Sequence, residues 1–118
     1  MNPADRLRLE HMLASARAAM SFASGRCREN LARDRMLLRS IERELEIVGE
    51  AANKVSQECR LAHPEIPWED MIGMRHRLIH AYFDVDLDMV WQTVMEDLPD
   101  LAPLLQARMS VRGPRWSR

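Results

Sequence analysis

Arg75 and His80 stand five residues apart in Met74-Arg75-His76-Arg77-Leu78-Ile79-His80-Ala81-Tyr82-Phe83, an Arg-x4-His-x-Tyr string. An arginine stays cationic and grips paired anionic oxygens with its planar fork, whereas a histidine trades protons near neutrality. These residue types suit the breaking of a phosphodiester at a neighbouring ribose 2′-hydroxyl. That reaction needs a base for the hydroxyl, an acid for the leaving 5′-oxygen and positive charge on the transition state. It requires no metal and no cofactor, and it leaves a 2′,3′-cyclic phosphate and a 5′-hydroxyl.

Helical geometry complicates such a site. At 100° per residue, positions five apart diverge by about 140° around the axis, so Arg75 and His80 do not share a face. Either the long arginine stem reaches around the helix, or two chains compose the site across a two-fold axis, which would supply both acid and base. The second arrangement is favoured, and a homodimer is expected. His76 and His80, at i and i+4, do share a face. That is the spacing of a helical metal pair, but a third ligand is missing locally and would have to come from His63, Glu69 or Asp84. His76 is therefore read as a supporting polar group rather than a metal ligand, and no metal is expected. On spacing alone, a solvated helix face explains Arg75, His76, Arg77 and His80 equally well. Tyr82, the sole tyrosine, can hydrogen-bond a phosphate or pack with Phe83.

The elements that must position these residues are helical. The chain has 118 residues and 47% hydrophobic content, enough for one compact core and too short for a second. Four glycines and long tracts of Leu, Ala, Arg, Glu and Met are a helical composition. Apolar residues from Leu9 to Ala23 recur at three and four, marking an amphipathic helix over about 2–24 with Asn2 as its cap and Gly25 as its stop. The strongest periodicity spans about 28–61, where Leu38, Ile41, Leu45, Val48, Ala52, Val55 and Cys59 form a coiled-coil-like seam. One long helix is expected there as the spine. Gly49 in its middle costs about 1 kcal/mol of helix propensity, so a packing reason is expected.

His63-Pro64-Glu65-Ile66-Pro67 breaks the chain before a helix over about 68–81 that carries the Arg-x4-His string. Asp84 or Asp86 can cap a further helix burying Leu87, Val90, Trp91, Val94 and Leu98, and Pro99 opens a last turn or short helix. The fold class is all-α, a bundle of four or five helices over residues 1–107. Trp68 and Trp91 are assigned to the core, as are the nine methionines.

Residues 108–118 carry Arg108, Arg112, Arg115 and Arg118 without an acid, alongside Trp116, and are read as a basic C-terminal tail. The overall charge is −1, so the other 107 residues hold 13 basic against 18 acidic side chains, a net of −5. The tail either attracts phosphate or is a solubilising end. Cys27 and Cys59 lack a Cys-x-x-Cys spacing and a preceding secretory leader, and no run of about 18 apolar residues appears. Reduced thiols, a cytoplasmic location and no membrane segment are expected.

The segments Ile66-Pro67-Trp68, Ile72 to Phe83, Val85-Asp86 and Asp97-Leu98-Pro99, with Glu46-Ile47-Val48-Gly49-Glu50-Ala51-Ala52 upstream, resemble the HepT-like (DUF86) branch of the HEPN domain family. The likeness covers roughly residues 5–105. It implies a helical two-fold dimer with the Arg-x4-His motifs of both chains lining a shared cleft. It further implies a toxin of a two-gene toxin–antitoxin module that cleaves RNA, with an exposed tRNA end among the candidates, without metal. The implied partner is a minimal nucleotidyltransferase antitoxin that attaches AMP to the motif tyrosine. Residue by residue, the catalytic pair falls on Arg75 and His80, and the AMPylation site on Tyr82. Close relatives of that branch usually carry asparagine after the arginine, where this chain has His76. The other class of reading is a non-catalytic helical module that binds a nucleotidyltransferase and nucleotide.

Overall fold

Asn2 begins the first helix by accepting the Asp5 N–H on its side-chain oxygen at 2.7 Å, and Pro3, whose missing N–H costs nothing there, takes the first helical position. The resulting α1 (Pro3–Ala23) buries Leu9, Met12, Leu13, Ala16 and Ala19 along one stripe. Gly25 ends the passage with φ of +75°, a backbone conformation that suits only glycine at low cost. The computed structural model describes residues 1–81 and 83–109. Tyr82 and residues 110–118, with Arg112, Arg115, Trp116 and Arg118 of the expected tail, lie outside the described residues.

The segment expected as one long helix is divided into α2 (Arg28–Arg33), α3 (Arg35–Lys54) and α4 (Gln57–Ala62). Two short polar side chains cause the breaks. Asp34 turns its carboxylate onto the Leu37 N–H at 3.0 Å, and the Ser56 hydroxyl accepts the Cys59 N–H at 3.2 Å, so each caps a new helix instead of continuing the old one. The apolar seam nevertheless holds across the second break, with Ile41, Leu45, Val48, Ala52, Val55 and Cys59 all buried and Leu38 packed partly against them.

The α3–α4 junction is tied to the start of α1. Buried Asp5 accepts the Ser56 N–H at 2.9 Å and its hydroxyl at 2.6 Å, and takes the Asn2 amide at 3.0 Å. Burial alone would raise this carboxyl, but the Ser56 hydroxyl and N–H, the Asn2 amide and the chain's amino terminus together outweigh it and hold Asp5 below its ordinary value.

After Pro67, α5 (Trp68–His80) packs against α3, burying Trp68, Met71, Met74 and Leu78. Asp86, rather than Asp84, caps α6 (Leu87–Gln92) by accepting the Met89 N–H at 3.1 Å. A π-helical turn over Thr93–Asp97 carries the chain without a break into α7 (Leu98–Met109). The Thr93 hydroxyl donates to the Met89 carbonyl at 2.7 Å inside this run, the kind of side-chain competition that distorts a helix. α7 absorbs Pro99 in its first turn and Pro103 in its interior, and returns to α1, where Arg6 donates to the Met109 carbonyl at 2.9 Å. Arg108, grouped with the tail on composition, sits in the last turn of α7 and ion-pairs with Glu65.

The protein is an all-α bundle, with no strand among the described residues. Four rods, α1, α3, α5 and the α6–α7 run, enclose one core, and α2 and α4 are short flanking helices. No described helix is long and apolar enough to cross a membrane. Trp68 is buried and donates to the His63 carbonyl at 3.0 Å, whereas Trp91 is only half-buried at the core's edge. The methionines divide: Met12, Met71, Met74 and Met109 are buried, but Met36 and Met95 face outward, because they fall on the solvent sides of their helices. Both cysteines are free thiols, Cys27 exposed and Cys59 buried.

Because Asp5 titrates below its ordinary value in the fold, the stability it contributes is complete above the usual carboxylate range and is lost as pH falls through the depressed value. Asp5→Ala is expected to cost about 2–3 kcal/mol at neutral pH by urea unfolding, since it removes charge-assisted bonds and orphans the partly buried Ser56 N–H. The gap to the parent protein should narrow in acid, and a gap independent of pH would contradict this account.

Candidate active site

α5 separates its residues by direction. Trp68, Met71, Met74 and Leu78 make its buried stripe, while His76, Arg77, Ile79 and His80 are exposed. Arg75 lies between these sets, half-buried against α3.

What lies beneath Arg75 is Gly49. A Cβ built at Gly49 would stand 2.7 Å from the Met71 carbonyl oxygen and closer still to the Arg75 Cβ, with the Arg75 Cδ at 3.3 Å. No side chain fits there, and the α5 backbone and the arginine stem rest directly on α3. This contact is the packing reason that Gly49 required. The Arg75 Nε is buried and has no hydrogen-bond partner among the described residues, and no described carboxylate forms an ion pair with the guanidinium. The cation is held in place by its stem and remains unneutralised by any described residue.

The two histidines meet one another instead. The rings of His76 and His80 stack with centroids 5.7 Å apart and planes inclined by 25°. Among the described residues, no group of three or more His, Cys, Asp or Glu side chains could hold a metal ion, so nothing completes the pair as a ligand set. The structure therefore brings His76 to His80 and leaves Arg75 on the α3-facing side of the same helix. Tyr82, two residues beyond His80, lies outside the described residues.

Charge differs sharply around α5. No acid follows Asp70 in the helix, and Arg77 and His80 occupy its last turn, where cations suit the helix dipole. On another side, a groove of about 410 Å³ between α5 and the α6–α7 run is bordered by Glu65, Asp70, Asp97 and Asp100, against one cation, Arg77, among its lining residues. Partial burial, reinforced by Glu96, Asp100 and Asp70, pushes the Asp97 carboxyl above its ordinary value. That groove repels a polyanion.

This arrangement can be set beside known proteins. Residues 12–108 match the family model described as "Ribonuclease HepT-like". The chain belongs to the HepT-like family. A protein of Thermococcus cleftensis named "Probable ribonuclease HepT" is 40% identical over 93 residues, which cover 79% of this chain and 84% of that one. The "Putative RNase TTE0752" of Caldanaerobacter subterraneus subsp. tengcongensis is 37% identical over 93 residues, covering 79% of this chain and 83% of its own. No solved structure matches significantly.

For this HepT-like protein, Arg75, His76 and His80 all fall on one helix, but two features of the site were not foreseen. The first is the identity of Gly49's neighbour, since a glycine announces a close approach without saying to what. The second is a groove at the end of α5 shared by His80, Arg77 and Asp84. Its only sequence signal was that two aspartates, Asp84 and Asp86, stood where one cap was needed.

Gly49→Ala tests the contact under Arg75. The substitution gains up to about 1 kcal/mol of helix propensity, yet is expected to lower stability by about 1–3 kcal/mol net because the opposing atoms are helix backbone and a Cβ that cannot swing away. Chemical denaturation measures this. A stabilised variant would show that α5 can move off α3 freely.

Proposed function

We propose that this protein is a metal-independent ribonuclease of the HEPN type, and that two chains compose its active site. The observation that carries the reading is Arg75, its stem seated on Gly49 and its guanidinium paired with no described carboxylate, on the helix that also presents His80 to solvent. An arginine kept free of internal carboxylates is available for a phosphate, and its fork suits two non-bridging oxygens. The family membership and the ribonuclease names of the relatives support the same chemistry.

In this mechanism a histidine removes the proton of the ribose 2′-hydroxyl, and the 2′-oxygen bonds to phosphorus. The bond from phosphorus to the 5′-oxygen breaks, and that oxygen takes a proton from the imidazolium so formed. Arg75 stabilises the charge that accumulates on the phosphoryl oxygens meanwhile. Because Arg75 and His80 leave α5 in different directions, the arginine of one chain is paired with the His80 of the other, with His76 stacked behind His80 as support. The products are a 2′,3′-cyclic phosphate and a 5′-hydroxyl. Single-stranded RNA or an exposed tRNA end suits an open cleft better than a duplex does.

Regulation is assigned to Tyr82 and to a minimal nucleotidyltransferase antitoxin, in a toxin–antitoxin pair. The phenol oxygen attacks the α-phosphorus of ATP, pyrophosphate leaves, and the phenol proton passes to solvent. The resulting AMP places a bulky anion two residues from His80, which obstructs RNA both sterically and electrostatically.

Cleavage of labelled RNA in excess chelator should fall about 100- to 1,000-fold with Arg75→Ala and about 100- to 10,000-fold with His80→Ala, with folding unchanged by circular dichroism. The fragments should end in cyclic phosphate. Cleavage abolished by chelator, or 3′-hydroxyl ends, would overturn the mechanism. RNA left intact by a protein that still binds the nucleotidyltransferase would favour a non-catalytic module. Coexpression with the nucleotidyltransferase should add one AMP per chain by intact mass, and Tyr82→Phe should remove it; an adduct that persists in this variant would contradict the assignment.

A further inference from the structure

Past the C-terminal end of α5 the chain folds back over Ala81 and Val85 to reach α6, and this return leaves a groove of about 330 Å³. Its walls are apolar, built from Leu78, Val85 and Met89. The volume falls at the lower end of small-molecule sites, about 300–1,000 Å³, so it suits one planar group rather than an extended ligand. Two kinds of polar group share the groove. Arg77 and His80 come from the last turn of α5, and Asp84 and Asp86 come from the link.

These groups make opposite demands on an occupant. The cationic side attracts phosphate, whereas the carboxylates repel it and favour hydrogen-bond donors. The apolar walls of Leu78, Val85 and Met89 favour a ring. A nucleotide satisfies all three at once, with an anionic phosphate, two apolar faces and a polar base edge. Asp86 already accepts the Met89 N–H as the cap of α6. Asp84 is exposed, and both oxygens of its carboxylate are free of hydrogen bonds and ion pairs from any described residue.

A carboxylate with two free oxygens discriminates among bases. Guanine offers adjacent N1–H and N2–H donors that match both oxygens. Adenine and cytosine place one amino group beside a ring acceptor, which a carboxylate opposes, and uracil sets its single N–H between two carbonyls. We propose that this groove is a guanine-reading subsite in which Asp84 accepts the N1–H and N2–H, setting a guanosine against His80. The proposal rests on the ribonuclease reading for its place beside the scissile phosphate. It adds a base preference that the Arg75–His80 pair does not supply.

Binding of guanosine, inosine and adenosine 3′-monophosphates to the full chain, followed by calorimetry or by NMR shifts of α5 and α6, tests the subsite directly. The guanosine nucleotide should bind about tenfold more tightly than the adenosine nucleotide, with inosine between because it lacks the N2 amine. Asp84→Asn, an exposed substitution, should abolish that order, and the same RNAs should be cut preferentially beside guanosine by the parent protein only. Equal binding of the guanosine and adenosine nucleotides, or a preference that survives Asp84→Asn, overturns the subsite whether or not RNA is cleaved. Guanosine selectivity that depends on Asp84, in a protein that cuts no RNA, supports the groove and overturns the ribonuclease reading instead.

Discussion

The rest of the structure depends on α3 and α5 meeting at Gly49 with no side chain between them. That approach sets the depth of α5 in the bundle, puts the Met71 carbonyl against the α3 backbone and clamps the stem of Arg75. A clamped stem has less rotamer freedom to lose when its guanidinium meets an anion, so the ordering cost of binding is largely met in advance by folding. The penalty for glycine in a helix interior, about 1 kcal/mol, is small beside the packing of Met71 and Met74 that the approach allows. The remaining ties support this contact from a distance. Asp5 and Ser56 fix where α3 ends, and the bond from Arg6 to Met109 holds α7 against α1 on the far side.

With its depth fixed, α5 turns its faces to different tasks. One stripe belongs to the core. The opposite face shows the stacked His76 and His80 to solvent, and Arg75 lies at the boundary, its charge unpaired among the described residues. Several other arginines are neutralised locally, among them Arg39 by Glu42 and Arg108 by Glu65. The contrast matters, because a cation already paired with a carboxylate must lose that partner before it can hold a phosphate. The acidic groove around Asp97 adds direction by discouraging a polyanion from the α7 side of the same helix.

Much of this was legible in residue spacing. The three-and-four recurrence from Ile41 to Cys59 placed the spine, Asn2-Pro3 and Gly25 bounded α1, and Pro67 opened α5. The divergence of Arg75 from His80 and the convergence of His76 with His80 follow from helical periodicity alone. The spine's continuity was misjudged because apolar spacing persists through a break when the helices on either side turn the same face inward. Asp34 and Ser56 were its only markers, and such residues also occur within helices. Pro103 is the converse case, a strong breaker tolerated on an exposed side of α7. Which residues cross from one rod to another is a tertiary matter. No periodicity pairs Gly49 with Arg75, or Asp5 with Ser56.

The central claim is that α5, held at this depth, gives its arginine and its histidine to different composite sites. Mixing two inactive proteins, Arg75→Ala and His80→Ala, under conditions that allow subunits to exchange tests it most directly. If the arginine of one chain works with the histidine of the other, each mixed dimer regains one intact site of two. RNA cleavage should then return to about a quarter of the parent rate at random exchange. If both residues act within a single chain, no mixed dimer contains a complete pair, and a mixture as inactive as its components would contradict the account.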